Sequence, residues 1–83
     1  MKMLEELSKN PKVVGAKQVR RAIEAGRAKA VWLADDADPG LTGPIAALCA
    51  ERGVAVEAAG SMKELGRFCG IAVGAAVAAA VAD

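Results

Sequence analysis

The segment KVVGAKQVRRAIEAG, residues 12–26, holds a strand, a turn and a helix in fifteen positions. Lys12-Val13-Val14 is short and β-branched, as a strand prefers, and it runs into Gly15. Beyond that glycine, Val19, Ala22 and Ile23 recur at helical spacing, which predicts the buried side of a helix over Ala16–Ala25. Lys17, Gln18, Arg20, Arg21 and Glu24 fall on the opposite side. Gly26 supplies the end, because a glycine just past the last turn turns the chain without a Cβ penalty.

The same alternation continues outward from this joint. Ala28 to Ala34, with Val31, Trp32 and Leu33, is an apolar run bounded by Gly26-Arg27 and by Asp35-Asp36-Ala37-Asp38-Pro39-Gly40, which suits a buried strand. Ile45, Leu48 and Cys49 mark a second helix within Leu41–Arg52, with Asp38 or Thr42 as its N-cap and Pro44 tolerable only in the first turn. Gly53 closes it. Val54 to Ala58 alternates and is β-branched at Val54 and Val56, so it reads as a third strand. Ser61-Met62-Lys63-Glu64 is a capping box, in which Ser61 accepts from the Glu64 N–H and Glu64 reaches back. A short helix from Met62 to about Cys69 follows, stopped by Gly70. The glycines before Gly74–Ala82, together with the alternation itself, favour a final strand there. Upstream, Met3, Leu4 and Leu7 line a short opening helix that Asn10-Pro11 ends. An α/β fold follows: a three-layer α/β/α sandwich with a small mixed central sheet.

Eighty-three residues suit a single domain, residues 1–83. A chain this size buries only roughly 60 to 65 % of its unfolded surface, enough for a core and hardly enough for a deep cavity as well. Alanine supplies 20 residues, beside one Trp, one Phe and no Tyr, so the core is packed from small side chains. Histidine is absent, which removes the usual general base, the commonest metal ligand and the usual activator of a Ser or Cys nucleophile. No enzymatic activity is expected. Cys49 and Cys69 are too few for a zinc site, lack C-x-x-C spacing and have no activator, so both read as inert, reduced thiols. Asp35, Asp36 and Asp38 lack the spacing of a calcium loop and read as helix-cap material; no metal and no cofactor is expected. The acidic pair Glu5-Glu6 stands where an export signal needs an apolar run, and the longest weakly polar stretch, Ile71–Ala82, falls short of the roughly 20 residues that span a bilayer. A cytoplasmic protein without a membrane partner is the expectation.

Net charge is only +1, but it is unevenly distributed. Residues 1–30 carry eight cations against three carboxylates, net +5, whereas residues 31–60 carry one cation against five carboxylates, net −4. Such asymmetry suggests one basic face for a polyanion. Helix N-termini expose unpaired N–H groups and a positive dipole, so Lys17, Gln18 and Arg21, grouped within one turn after Gly15 at relative positions 0, 1 and 4, reinforce an anion-attracting site.

Four segments, in this order and spacing, resemble the kink-turn-binding ribosomal-protein family, of archaeal large-subunit type, and in particular its short bacterial, YbxF-like branch. They are Val14-Gly15-Ala16-Lys17-Gln18 with Arg21; Ala34-Asp35-Asp36-Ala37-Asp38-Pro39; Ser61-Met62-Lys63-Glu64-Leu65-Gly66; and Cys69-Gly70-Ile71-Ala72-Val73-Gly74-Ala75-Ala76. The resemblance covers nearly the whole chain. It implies a non-enzymatic α/β/α domain that binds and stabilises structured RNA bearing a kink-turn, a bent helix–internal loop–helix element with tandem sheared G·A pairs. Ribosomal RNA is one such candidate; DNA is not an implied partner. The start of the helix after the first strand would enter the widened major groove, which here means Gly15, Lys17, Gln18 and Arg21, with Ala16 and Arg20 beside them in the RNA-binding set and Arg20 suited to a phosphate. The loop before the last strand, here Gly70, Ile71, Ala72 and Val73, would pack against flipped nucleotides.

The chemistry of these side chains suits that role. A-form RNA hides its major groove, and protein reads base edges only where non-canonical pairs open it. Lys or Arg suits guanine O6 and N7, and Gln offers both donor and acceptor. Lys12, Lys63 and Arg67 flank the matched positions and are candidate phosphate contacts. The chain departs from the archaeal pattern in having Ala16-Lys17-Gln18 for Thr-Asn-Glu, so guanine reading through a carboxylate cannot operate. Ala72 stands where an acidic residue is common, and Arg21 where Lys is common. Two other readings compete: a ribosome-associated or protein-interaction scaffold that keeps the fold without kink-turn affinity, and a phosphate binder at the Gly15 helix terminus. No P-loop pattern supports the latter.

Overall fold

The computed structural model describes residues 11–82. Its elements are β1 (Lys12–Val14), α1 (Ala16–Glu24), β2 (Ala28–Ala34), α2 (Pro39–Arg52), β3 (Ala55–Ala59), α3 (Met62–Cys69) and β4 (Val77–Val81). The opening helix expected over residues 1–7 lies outside the described residues.

The strands form one mixed sheet in the order β1-β4-β2-β3. β2 and β3 run parallel, while β4 lies antiparallel between β1 and β2. The central β4 is Val77-Ala78-Ala79-Ala80-Val81, buried throughout. Its side chains alternate between two cores, as a period of two requires. Val77, Ala79 and Val81 join Val19, Ala22 and Ile23 of α1, Val31 of β2, and Ile45 and Cys49 of α2. Ala78 and Ala80 point the other way, into a core with Ala30, Trp32 and Ala34 of β2, Ala59 of β3 and Leu65 of α3. Thus α1 and α2 cover one face and α3 the other, the three layers expected from the alternation. The alanines keep the second core shallow, and Trp32, fully buried, is the large side chain that fills it. The ring's Nε1 has no hydrogen-bond partner among the described residues.

Three expectations need correction. α2 begins at Pro39, not Leu41, because Asp38 rather than Thr42 is its N-cap, with Oδ1 accepting from the Gly40 N–H at 2.9 Å. Pro44 therefore sits in the second turn. It has no N–H to give the Gly40 carbonyl, and both residues lie on the exposed side, where water can serve instead. β3 is displaced one residue, to Ala55–Ala59, and its Val56 stays 40 % exposed because β3 is an edge strand that α2 does not fully cover. The capping box is half-formed: Ser61 Oγ accepts from the Glu64 N–H at 3.0 Å, but the Glu64 carboxylate lies beside Gly60 instead of returning to Ser61.

Candidate nucleic-acid interface

β1, β2 and β3 all end, and β4 begins, at the same edge of the sheet, so the N-termini of α1, α2 and α3 gather there. Gly15 makes the sharpest of these joints. Its φ of 100° and ψ of 146° are open to glycine and strained for other residues. The Gly15 N–H donates to the Val77 carbonyl at 3.0 Å, and its carbonyl accepts from the Val19 N–H at 2.9 Å. α1 is thereby fixed to the start of β4. Among the described residues no side chain caps α1 and no carboxylate stands in its first turn, so the N–H groups of Ala16, Lys17 and Gln18 have no side-chain acceptor there.

Lys17, Gln18, Arg20 and Arg21 are all exposed, whereas Val19, Ala22 and Ile23 are buried. The two sides of the helix separate as the spacing predicts. Among the described residues these cations make no ion pair, and nothing internal competes for their charge.

The loop from Gly70 to Ala76 forms the second part of the surface. Gly70 caps α3 in the left-handed conformation, φ 77°, and its N–H donates to the Arg67 carbonyl at 3.1 Å; the Ile71 N–H donates to that of Gly66 at 3.0 Å. The chain then doubles back along α3. The Val73 carbonyl rests on Gly66, where any Cβ would collide with it, and a Cβ at Gly74 would stand 3.0 Å from that of Met62. The Ala75 N–H closes the return by donating to the Met62 carbonyl at 2.9 Å. Gly70, Ile71, Ala72 and Val73 are exposed on this supported backbone, Val73 at 72 %. The apolar side chains are thus presented by a braced loop.

The Gly15 joint and the loop meet around Val77, which brings Gly15–Arg21 and the end of the Gly70–Ala76 segment to one edge of the sheet. Lys12, half-buried on β1, sits close enough to Cys69 for its charge to act on the thiol. Burial pushes the Cys69 thiol up, and Lys12 opposes part of that rise. Burial also pushes up the Cys49 thiol, in the α1–α2 core. Lys63 and Arg67 share an exposed stripe of α3, which the sheet separates from α1.

Of the three aspartates expected as cap material, Asp36 and Asp38 serve helix ends and Asp35 does not. Asp36 Oδ1 accepts from the Met62 N–H at 2.8 Å and so caps α3 across 26 positions, as Asp38 caps α2 locally. Among the described residues no group of three His, Cys, Asp or Glu side chains could hold a metal ion, and no helix is long and apolar enough to cross a membrane. Sequence reasoning missed the Asp36–Met62 bond and the seat of Val73 on Gly66. Neither contact has a signature in local spacing.

The chain matches the ribosomal protein L7Ae/L30e/S12e/Gadd45 family over residues 1–83. It is 44 % identical over 70 residues to an RNA-binding protein of Caldanaerobacter subterraneus, covering 84 % of this chain and 85 % of that one. It is 43 % identical over 67 residues to the RNA-binding protein YbxF of Geobacillus stearothermophilus, covering 81 % and 82 %. Among solved structures, the Giardia lamblia 15.5kD RNA binding protein superposes with a TM-score of 0.85 at 28 % identity, over 96 % of this chain and 68 % of that one. A Bacillus halodurans protein of unknown function shares the fold, with a TM-score of 0.81 at 23 % identity, over 93 % and 78 %.

Proposed function

Because the chain belongs to the ribosomal protein L7Ae/L30e/S12e/Gadd45 family, we propose that it is an RNA-binding protein that recognises and stabilises a kink-turn. It is a non-enzymatic member of that family. The observation that carries the reading is the N-terminus of α1, which no side chain caps among the described residues and where Lys17, Gln18 and Arg21 stand exposed. Lys17 and Arg21 would meet guanine O6 and N7 in the groove that G·A pairs open, and Gln18 would meet a neighbouring base edge. The backbone N–H groups would face the adjacent phosphates. Ile71, Ala72 and Val73 would support bases turned out of the bend without selecting their identity. Lys12, Arg20, Lys63 and Arg67 would add phosphate attraction, ribosomal RNA being one possible source of such an element. A cytoplasmic setting accords with this role.

Binding stabilises the bend only through a higher affinity for the bent form than for the extended one. Titration of end-labelled kink-turn RNA, followed by energy transfer, tests this against a same-length regular duplex. Saturable binding with increased transfer is expected. Equal affinity for both RNAs with unchanged transfer would reject kink-turn recognition and leave a non-specific basic face or a scaffold.

A further inference from the structure

At the sheet edge remote from β1, α2 leaves part of the sheet uncovered. In the β2–β3 register Val31 lies beside Val56 and Leu33 beside Ala58, so Val56 and Ala58 belong to the face that α1 and α2 cover elsewhere. Both are exposed. With Leu33 they floor a groove of about 440 Å³, walled by Pro39 and Thr42 of α2 and rimmed by Asp35. It lies at the carboxyl ends of two parallel strands, where α/β sheets commonly take their ligands. Among the described residues β3 pairs only with β2, and its other edge offers backbone groups to an added strand.

The charge here is of one sign. Asp36 and Asp38 are engaged at helix ends, but the Asp35 carboxylate has no partner among the described residues. No Lys or Arg occurs from Val31 to Glu51 or from Gly53 to Met62, and the cations of the flanking elements, Lys29 and Arg52, stand at the far ends of β2 and α2 from the groove. A Lys or Arg side chain meets both demands, since its stem covers apolar surface while its head reaches a carboxylate.

We propose that this groove docks an extended, cationic segment of a protein partner, which adds to the edge of β3 and sets a basic side chain over Leu33 and Ala58 against Asp35. The surface is separate from the α1 face, and the inference does not rest on kink-turn recognition. The test uses the full chain, labelled with nitrogen-15, and two eight-residue peptides, one alternating Arg and Val and the other Glu and Val. The Arg–Val peptide is expected to shift the amides of Leu33, Asp35, Thr42 and residues 55–59 saturably. Asp35→Asn should weaken it by tenfold or more, and Val56→Lys should abolish it by placing a like charge on the floor. Absence of shifts at millimolar peptide, an equal response to the Glu–Val peptide, or unchanged affinity in Asp35→Asn would overturn the proposal. Concentration-dependent shifts of the same amides without peptide, joined by those of Lys17 and Arg21, would overturn it in favour of a second copy of the chain.

Discussion

Lys17, Gln18 and Arg21 differ from Arg20 in what they can touch, although all four are exposed on α1. The first three occupy positions that would face base edges, where one good contact discriminates by about 1–3 kcal/mol. Replacing any one with Ala should cost about that much on kinked RNA and little on a regular duplex, as filter binding on the two RNAs would show. Equal losses on both would reduce the face to a basic patch. Two glycines offer the converse case, in which an added methyl group decides the result. At Gly66 it would strike the Val73 carbonyl, so Gly66→Ala should destabilise the fold by about 1–3 kcal/mol in urea unfolding and weaken RNA binding by displacing the loop. At Gly43, exposed within α2, it would meet nothing within 4 Å. Pro44 follows, and its ring crowds a Cβ on a preceding helical residue, so Gly43→Ala should fall short of the gain of about 0.5–1 kcal/mol usual for such a change, as urea unfolding would show.

α3 is the element on which the loop depends, and its N-terminus is held twice. Ser61 accepts from within the turn, and Asp36 reaches across from the segment after β2. Ser61→Ala and Asp36→Ala should each cost about 1 kcal/mol, and the double variant should depart from their sum because both act on one turn. Thermal unfolding of the four-member cycle measures this. The contrast between these two caps also shows what was legible in the chain. Ser61 and Glu64 are three apart, so a local rule finds them, and the periodicity of Val19, Ala22 and Ile23 likewise places α1. Asp36 and Met62 become neighbours only once the sheet has formed, and no spacing announces them. The start of α2 was ambiguous because two capping residues precede two prolines, and the choice depends on how Ala37 packs. Lys17, Gln18 and Arg21 could be singled out because one turn of helix groups them. The seat of Val73 on Gly66 could not, since it depends on the path of the loop after Gly70.

For the whole molecule, charge and protonation set the response to solution conditions. Each phosphate contact releases about one counterion on binding, so removing Lys12, Arg20, Lys63 or Arg67 should weaken binding to kinked and regular RNA alike. A plot of log affinity against log salt should flatten by roughly one unit for each residue that makes such a contact. Stability should depend on pH through the thiols. Burial raises both, so the folded chain retains protons that the unfolded chain releases. Their contribution is intact below the ordinary thiol range, about 8.5, and is lost as pH rises from there through the folded values. Urea midpoints should fall as pH rises above about 8.5, and Cys49→Ala should flatten that decline.

The place of β4 in the sheet also governs when the protein can fold. Among the described residues β1 pairs only with β4, Lys12 beside Ala80, so the earliest described strand gains a described neighbour only when the last one arrives. During synthesis β2 and β3 can meet sooner, yet the strand that belongs between β2 and β1 is still being made. Both cores lack their shared wall of Val77 to Val81 until then. Contacts this distant along the chain are slow to close. The chain should therefore acquire protease resistance only once residue 81 has emerged from the ribosome, with stalled intermediates ending before Val77 remaining fully digestible.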